Sequence, residues 1–440
     1  MPSERHFRRT ARLERPPRGC PLASHWICTG CAGTAATRFA PHTNGDTMGR
    51  VEFEIIEGIK EIDAAAWDQL VGADSPFLEY GFLRALEDSG CVGSDSGWHP
   101  QFLVARDSDA PDRLVGAMPL YLKLHSMGEF VFDWSWADAA QRAGIRYYPK
   151  AVVAVPMTPI QGRRILVDAA LAPDDALAIK KTLVETAIDF AQKVGLSSVH
   201  FNFIMPDEVA IFEALDLPIR VGMQFHWHNH NGAEDAQKYS DFDAFLGRFR
   251  SKKRANIRRE RRKLTNAGVR TRVVAGAAVT PAHLDRVFDY YRDTIDKLEW
   301  GRQYLNREFF QHLGEQLPQR LHLVMAEQDG EEFGGAFNLY KNAGLYGRYW
   351  GCTKEVEFAH FETCLYRPLD WCIEHGVEVF QPGAQGPHKY DRGFDPTPTY
   401  SAHWIRDPRL ADAVGQFIAH ERAEMRAHIK ELRQDSPINR

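Results

Sequence analysis

The sequence predicts an α/β protein built from two copies of one unit, in which mixed sheets are flanked by helices. Strand-like and helix-like patterns alternate from residue 51 onward, and the order hairpin, helix, strand occurs once in each half. The chain has 440 residues, which is too long for one ordinary hydrophobic core. We therefore predict two domains, at residues 51–225 and 226–440.

The first copy begins with a hairpin. The stretches 99–107 and 113–124 alternate like strands and are separated by the turn-forming sequence SDAPD. Residues 174–195 have helical periodicity and end at Gly195, a residue type that commonly follows a helix C-terminus. The apolar stretch 197–204 then predicts a buried strand.

The second copy repeats this order. A hairpin is predicted over 321–341 around an Asp-Gly turn, and a helix over 360–376, ending at a glycine and followed by a strand. Short strings correspond as well, since GAMPLYLK at 116–123 parallels GAFNLYK at 335–341. The alternative is that this order is common and the similarity arises by chance.

The composition is that of a soluble globular protein of a reducing compartment, so we predict a cytoplasmic location. Hydrophobic residues make up 44% and charged residues 26% of the chain, and no apolar run approaches the length of a membrane span. Its seven cysteines are scattered and odd in number, which argues against a disulfide framework. The net charge of −5 argues against a DNA-binding protein.

Residues 1–47 differ from the rest of the chain. They contain seven Arg and no Lys, and they lack the apolar segment of a secretory signal. We interpret them as a disordered extension or as the product of an upstream start codon. An alternative, a zinc knuckle, would need a hydrophobic framework that this segment lacks. Its ligands would be Cys20, His25, Cys28 and Cys31.

A strongly basic run, RFRSKKRANIRRERRK at 248–263, has ten Lys or Arg among sixteen residues, opposed only by Glu260. We predict one helix that starts with a capping box at Ser240 and Asp243. Its apolar stripe consists of Phe242, Phe245, Phe249, Ile257 and Leu264. The adjacent row, which is suited to binding phosphate, consists of Arg250, Arg254, Arg258 and Arg261. The alternative is an ordinary charged surface helix.

The loop QPGAQGPHKYDRGFDP at 381–396 follows the last predicted strand of the repeat. It combines glycines with His388, Lys389, Asp391 and Arg392. Loops at the carboxyl ends of α/β strands commonly bind ligands, and Lys or Arg can stabilise an oxyanion or phosphate there. The alternative is a structural turn with a local Asp–Arg pair.

No motif calls for a cofactor or a metal. The chain has no P-loop, GxGxxG, HExxH or GxSxG sequence. His226, His228 and His230 alternate as on one strand face, which favours polar or substrate contacts over a zinc site. Three cysteines lie among apolar residues and are interpreted as packed thiols: Cys352, Cys364 and Cys372.

Several strings together resemble the Fem-like branch of the GNAT acyltransferase superfamily, and most closely the FemAB-like family of peptidoglycan biosynthesis/recognition. The strings are SPFLEYGFLRALEDSG (75–90), YYPKAVVAVPMTPIQGRRIL (147–166), FHWHN (225–229), KKRANIRRERR (252–262), LYGRYWG (345–351) and GAQGPHKYDRGF (383–394). The resemblance implies tandem GNAT-like (acyl-CoA N-acyltransferase) folds. It also implies metal-free transfer of an aminoacyl group from aminoacyl-tRNA to an amine of a peptidoglycan precursor.

The resemblance carries over to particular residues. Lys389 looks like the Lys that lies near the reacting centre of Fem enzymes, although His388 replaces an aromatic residue and the spacing to Phe394 is longer. The basic helix matches the Fem pattern that implies contact with substrate phosphates. The matching residues are Arg254, Ile257, Arg258 and Arg259.

These observations lead to a predicted acyl or aminoacyl transferase that forms an amide. Lys389, with Arg392 beside it, is predicted to stabilise the oxyanion, and His388 or Asp391 to take the proton of the amine. Arg254, Arg258 and Arg259 are predicted to hold phosphates. The predicted channel lining is Tyr346, Arg348 and Trp350.

The predicted partners are an acyl or aminoacyl donor, either aminoacyl-tRNA or acyl-CoA, and a phosphorylated cell-envelope precursor as acceptor. Two alternative functions stay open. One is a non-catalytic recognition module for a phosphorylated glycan precursor or RNA. The other is an acetyl-CoA-dependent N-acetyltransferase, although residues 351–366 lack the glycines of the [QR]xxGx[GA] pyrophosphate loop.

Overall fold

The computed structural model describes residues 37–39, 51–230, 237–297, 301–384 and 386–438. The segment 1–47, with the four side chains of the zinc-knuckle alternative, therefore lies outside the described residues except for 37–39. Residues 38–440 form one compact unit.

The elements up to residue 230 are strands β1 (Thr37–Phe39), β2 (Val51–Ile56), β3 (Trp98–Pro100), β4 (Phe102–Asp107), β5 (Ala110–Met118), β6 (Leu120–Lys123), β7 (Lys150–Val153), β8 (Leu166–Val167), β9 (Ser198–Ile204) and β10 (Ile219–His228). The helices of this part are α1 (Ala64–Val71), α2 (Tyr80–Asp88), α3 (Trp134–Arg142), α4 (Pro173–Lys193) and α5 (Val209–Glu213).

The elements after residue 236 are helices α6 (Phe242–Gly247), α7 (Ser251–Asn266), α8 (Pro281–Asp296), α9 (Arg307–Gln316), α10 (Ala359–Phe361), α11 (Arg367–Glu374) and α12 (Pro408–Gln434). A π-helical turn, Glu362–Tyr366, joins α10 to α11, and a 3-10 helix covers Pro387–Arg392. The strands are β11 (Val269–Ala275), β12 (Leu321–Gln328), β13 (Glu331–Lys341), β14 (Gly344–Cys352), β15 (Val379–Gln381) and β16 (Asp395–Ile405).

A larger mixed sheet and a smaller antiparallel sheet carry these strands. The larger has the order β11–β12–β13–β14–β15–β10–β16–β9–β7–β6–β3, and the smaller contains β2–β4–β5–β8 in that order after residue 50. Pro119 interrupts the strand predicted over 113–124, because proline has no N–H to donate to a ladder. The chain there passes from the smaller sheet to the larger.

The predicted repeat is visible in the pairing of the strands. In each half an antiparallel hairpin, β4–β5 or β12–β13, precedes a parallel pair, β7–β9 or β14–β15. A helix connects the two strands of each parallel pair, namely α4 in the first half and α10–α11 in the second. The predicted fold class, an α/β repeat of mixed sheets flanked by helices, is confirmed.

The two halves are joined through one sheet and a shared core. Strand β16, from the end of the chain, lies between β10 and β9 of the first half. The predicted boundary at 225/226 falls inside β10 and stays a prediction. Helix α2 packs against α9, where the rings of Phe82 and Phe309 lie 5.7 Å apart.

The basic segment differs from the single helix that we predicted. It forms two helices, α6 and α7, and the N-cap of α6 is Asp241, which accepts from the N–H of Ala244, so the capping box at Ser240 is wrong. The chain leaves the helical path because Phe249 forms an isolated β-bridge with Ile438. The predicted apolar stripe does face inward, since Phe245, Phe249, Ile257 and Leu264 are buried.

Within the part of the chain that the structure describes, no helix combines the length and apolar character needed to cross a membrane.

Candidate active site

The loop 382–394 lies where strand β15 ends beside β14. The parallel pairing stops at Tyr346 and Gln381, while β14 continues to Cys352. Gly383 has a φ of +88°, and a Cβ there would lie 3.1 Å from the carbonyl oxygen of Gly347. Glycine thus allows the loop to turn back closely against β14.

Lys389 is a buried lysine whose charge no described carboxylate compensates. Its side chain is 6% exposed, and Nζ donates to the carbonyl oxygens of Gly383 (2.7 Å) and Ala384 (3.4 Å). Burial lowers its pKa to about 8, because the charged form loses hydration. Lys389 is therefore mostly an ammonium ion at neutral pH, with one N–H left to donate to a ligand.

His388 is a second functional group of this loop. Its ring lies 5.3 Å from that of His360 and 5.4 Å from that of Phe361, measured between centroids. Burial lowers the pKa of His388, and the nearby charges of Lys389 and Arg392 lower it further, so the ring is neutral at pH 7. Nε2 is buried and has no hydrogen-bond partner among the described residues.

Arg392 directs its donors to protein groups rather than into open space. Nη2 donates to both carboxylate oxygens of Glu260 at 2.9 Å, and Nε donates to the Tyr366 hydroxyl at 2.7 Å. Nη1 donates to the carbonyl oxygen of His388 at 2.9 Å, and the guanidinium lies 3.4 Å from the ring centroid of Phe361. Arg392 thus fixes the loop and the backbone of His388, and its role as a second oxyanion donor beside Lys389 stays a prediction.

The π-helical turn supplies the other side of this network. Tyr366 donates its hydroxyl hydrogen to Glu260, and Glu362 accepts from Arg261 at 2.9 Å and 3.0 Å. Arg261 also bonds Asp370, so it holds helix α7 against α11 and is not part of a free phosphate-binding row. Single π turns occur often at functional sites because they re-aim the side chains of a helix.

The other predicted arginines of α7 face outward. Arg258 forms an exposed ion pair with Asp243 at 2.9 Å, and Arg254 donates to the carbonyl oxygen of Gly247 at 3.4 Å. Arg259 is exposed. The same helix contacts the loop through an ion pair between Lys253 and Asp391, and the Asp391 side chain is half exposed.

The structure separates the three predicted channel residues. A bulge in β14, opposite Phe337 and Asn338, places an extra residue at position 348 and shifts the alternation of side chains. Tyr346 packs on Phe77, and Arg348 donates to the carbonyl oxygen of Met157. Trp350 contacts His360 instead, at 5.6 Å between rings, beside the loop.

Of the three alternating histidines, only His226 is fully buried. Burial lowers its pKa to about 3, and the charges of His228 and Lys389 add to this effect, so His226 lies within electrostatic reach of Lys389. Burial also raises the pKa of the Cys364 thiol, which is therefore protonated. The described residues contain no group of three or more His, Cys, Asp or Glu side chains arranged to hold a metal ion.

Several residues of the site were not predicted from the sequence: Glu260, His360, Phe361 and Tyr366. Glu260 had a signal, since it is the only acid in the basic run. The others contact the loop from positions far away in the chain, and no local pattern marks them.

The chain belongs to the FemAB-like family, described as peptidoglycan biosynthesis/recognition, whose sequence model matches residues 58–440. This match confirms the resemblance seen in the sequence. No curated protein matches the chain by sequence.

Solved structures resemble the fold at low identity. FemX is 11% identical with a TM-score of 0.47, covering 80% of this chain and 98% of that one. L-PGS from Bacillus licheniformis is 12% identical with a TM-score of 0.43, covering 76% and 95%. A tandem GNAT protein from the clavulanic acid biosynthesis pathway is 13% identical with a TM-score of 0.40, covering 81% and 98%.

Proposed function

We propose that this protein is an acyl or aminoacyl transferase that forms an amide on an amine of a peptidoglycan-type precursor. The observation that carries the proposal is Lys389, a buried and uncompensated cation in a glycine-rich loop beside the neutral His388. Membership of the FemAB-like family supports the substrate class. The acceptor is a phosphorylated cell-envelope precursor, and aminoacyl-tRNA is the favoured donor.

The reaction begins when a neutral amine attacks the acyl carbon of the donor ester. A C–N bond forms and the carbonyl oxygen becomes an oxyanion, to which the remaining N–H of Lys389 donates. Such a donor is most effective where burial excludes water, because the ammonium is not shielded. Collapse of the intermediate breaks the C–O bond of the ester and restores the carbonyl as an amide.

The proton of the attacking amine goes to His388 and then to the departing oxygen. His388 suits this role because its lowered pKa keeps the ring neutral and able to accept a proton. Its buried Nε2 also has no described hydrogen-bond partner. Asp391, the other predicted base, is engaged by Lys253 at the surface. Arg392 acts as a positioning residue through its bond to the His388 backbone.

Phosphates of the donor or acceptor are proposed to bind along α7 at Arg254, Arg258 and Arg259. These side chains lie on the helix that Lys253 links to the loop. Guanidinium groups keep their charge at all relevant pH values and bind oxyanions bidentately. Trp350, beside His360, and the pair Tyr346 and Arg348 are proposed to contact the substrates on opposite sides of β14.

The test offers the purified protein two donors, bulk aminoacyl-tRNA and acetyl-CoA, each with labelled acyl groups. The acceptor is a soluble UDP-linked peptidoglycan precursor with a free lysine amine, and mass spectrometry detects the amide. We expect transfer from aminoacyl-tRNA, a loss of about 10²–10³-fold in Lys389→Ala, and no loss in the exposed control Lys354→Ala.

Other outcomes would redirect the proposal. Near wild-type transfer by Lys389→Ala would show that the site is assigned to the wrong residue. Labelling only from acetyl-CoA would favour the N-acetyltransferase alternative, and no transfer from either donor would favour a recognition module.

A further inference from the structure

A groove of about 590 Å³ lies between helix α12 and strands β10 and β16. None of the residues that line it belongs to the candidate active site. Its volume lies within the range of small-molecule binding sites in proteins, roughly 300–1,000 Å³.

The floor of the groove is apolar. Val221 of β10 pairs with Tyr400 of β16, and Pro398 lies opposite Met223 in the same ladder. Ile429 of α12 closes the floor from the helix side and is buried, as is Val221, whereas Pro398 and Tyr400 are only partly covered. Apolar surface therefore remains open to a ligand beneath the helix.

The rim of the groove is cationic. Arg426, Lys430 and Arg433 of α12 line it, and no acidic residue of the described chain does. Arg426 and Lys430 are exposed, four residues apart, and form no ion pair within the described chain. Like charges at this spacing destabilise a helix, so helix stability does not explain the arrangement.

Three nearby acids of α12 contact other side chains. Glu421 is bound by Arg220, with one bond of 2.6 Å. Glu424 and Glu431 instead lie near histidines, at 3.3 Å from His420 and 3.9 Å from His428. The described charged residues that line the rim are thus all cations, directly beside an apolar floor.

We propose that this groove binds a single-chain amphiphile with a phosphate head group. The apolar chain lies along Val221, Pro398 and Tyr400, and Arg426 and Lys430 hold the phosphate by charge-assisted hydrogen bonds. A bare phosphate leaves the floor unused, and a neutral amphiphile leaves the cations unused. This inference is independent of the proposed transfer reaction.

The test measures binding of dodecyl phosphate, below its micellar concentration, to the full chain by calorimetry. Inorganic phosphate and butyl phosphate test the head group without the long chain, and dodecyl maltoside tests the chain without the charge. We expect dodecyl phosphate to bind about tenfold or more tightly than each of the three, because only it uses both surfaces.

Charge reversal locates the site. Arg426→Glu/Lys430→Glu is expected to weaken dodecyl phosphate binding by about tenfold or more, because it removes both head-group contacts. Lys180→Glu/Lys181→Glu on α4 makes the same change in net charge and is expected to have no effect. All four side chains lie at least partly exposed, and thermal melting verifies that both variants fold.

Three results would overturn the inference. If inorganic phosphate binds as tightly as dodecyl phosphate, the apolar floor does not contribute to binding. If dodecyl maltoside binds as tightly as dodecyl phosphate, the cations do not contribute. Unchanged affinity in Arg426→Glu/Lys430→Glu would place the ligand elsewhere.

Discussion

Two of the buried lysines, Lys150 in the first half of the chain and Lys389 in the second, differ in what surrounds their charge. Lys150 of β7 is fully buried and donates to Glu129 and Ser126, both at 2.9 Å, and to Asp133. Burial alone would lower its pKa, but the two carboxylates outweigh that effect and raise it. Lys389 has only carbonyl oxygens as acceptors, and burial lowers its pKa to about 8.

The difference separates a structural cation from a functional one. Lys150 has two carboxylates beside its charge, and its bonds to Ser126, Glu129 and Asp133 leave it no further N–H to donate. Lys389 retains a cost of burial that no described carboxylate offsets. Perturbed groups of this kind concentrate at functional sites, because a ligand can supply the missing negative charge.

The largest expected effect is on the stability of the first half. Lys150→Met leaves two carboxylates buried without a cation and should lower the free energy of unfolding by about 3–5 kcal/mol. Lys389→Met breaks no ion pair and should lower it by less than about 1 kcal/mol. Urea denaturation of both variants measures this difference. Equal losses in the free energy of unfolding would show that the two lysines do not differ in the way proposed.

The second effect concerns the network that holds the Lys389 loop. Glu260→Gln removes the charge that binds Arg392 and should cost about 2–3 kcal/mol, because charge-assisted bonds are being lost from a buried site. Glu357→Gln breaks an exposed pair with Lys263 of the same helix and should cost under about 0.5 kcal/mol. If chemical denaturation finds the two costs equal, the Arg392 clamp is not what holds this loop.

The third effect is a dependence of stability on pH that Lys389 should show and Lys150 should not. Its pKa is about 8 in the folded state and 10.5 as a free side chain, so between these values the unfolded chain binds a proton that the folded chain has released. Stability should therefore rise with pH relative to Lys389→Met, by about 1.4 kcal/mol per pH unit above pH 8.

Unfolding curves at pH 7, 8 and 9 measure this change. Below pH 8 both forms of the chain hold the proton, and the difference between wild type and Lys389→Met should be constant. A constant difference through pH 9 as well would mean that Lys389 is not strained by burial. Comparison with Lys150→Met should show no such rise, since the pKa of Lys150 is raised.

The smallest expected effect is on phosphate binding along α7. Arg254→Ala/Arg258→Ala should weaken the binding of UDP, used as a diphosphate probe, several-fold, or by about 1 kcal/mol, since both sites are solvent-screened. Arg270→Ala/Arg286→Ala removes two exposed arginines elsewhere and should change nothing. Equal affinities for UDP in the wild type and both double variants would show that α7 is an ordinary charged surface helix.

Local patterns predicted much of the fold. The hairpin at 321–341 turns at Asp329 and Gly330, both with positive φ, and the helix predicted at 174–195 spans Pro173–Lys193. These elements follow from periodicity and turn chemistry, which act over a few residues. The loop with Lys389 was predicted for the same reason, because it directly follows a strand.

Features that depend on distant contacts were not predictable. The bulge at position 348 moves Trp350 to the other side of β14, since one extra residue reverses the alternation of a strand. The break between α6 and α7 results from a bridge to Ile438, near the end of the chain. The partners of Arg392 come from three separate segments, and no residue spacing in the sequence predicts that they contact one another.

The position of β16 has a consequence for synthesis of the chain on the ribosome. This strand is made after both of its neighbours, since it pairs with β10 on one side and β9 on the other. Until it emerges, both of those strands present open edges, which are templates for pairing with other chains. A nascent chain of this protein would therefore need protection by chaperones until β16 is released.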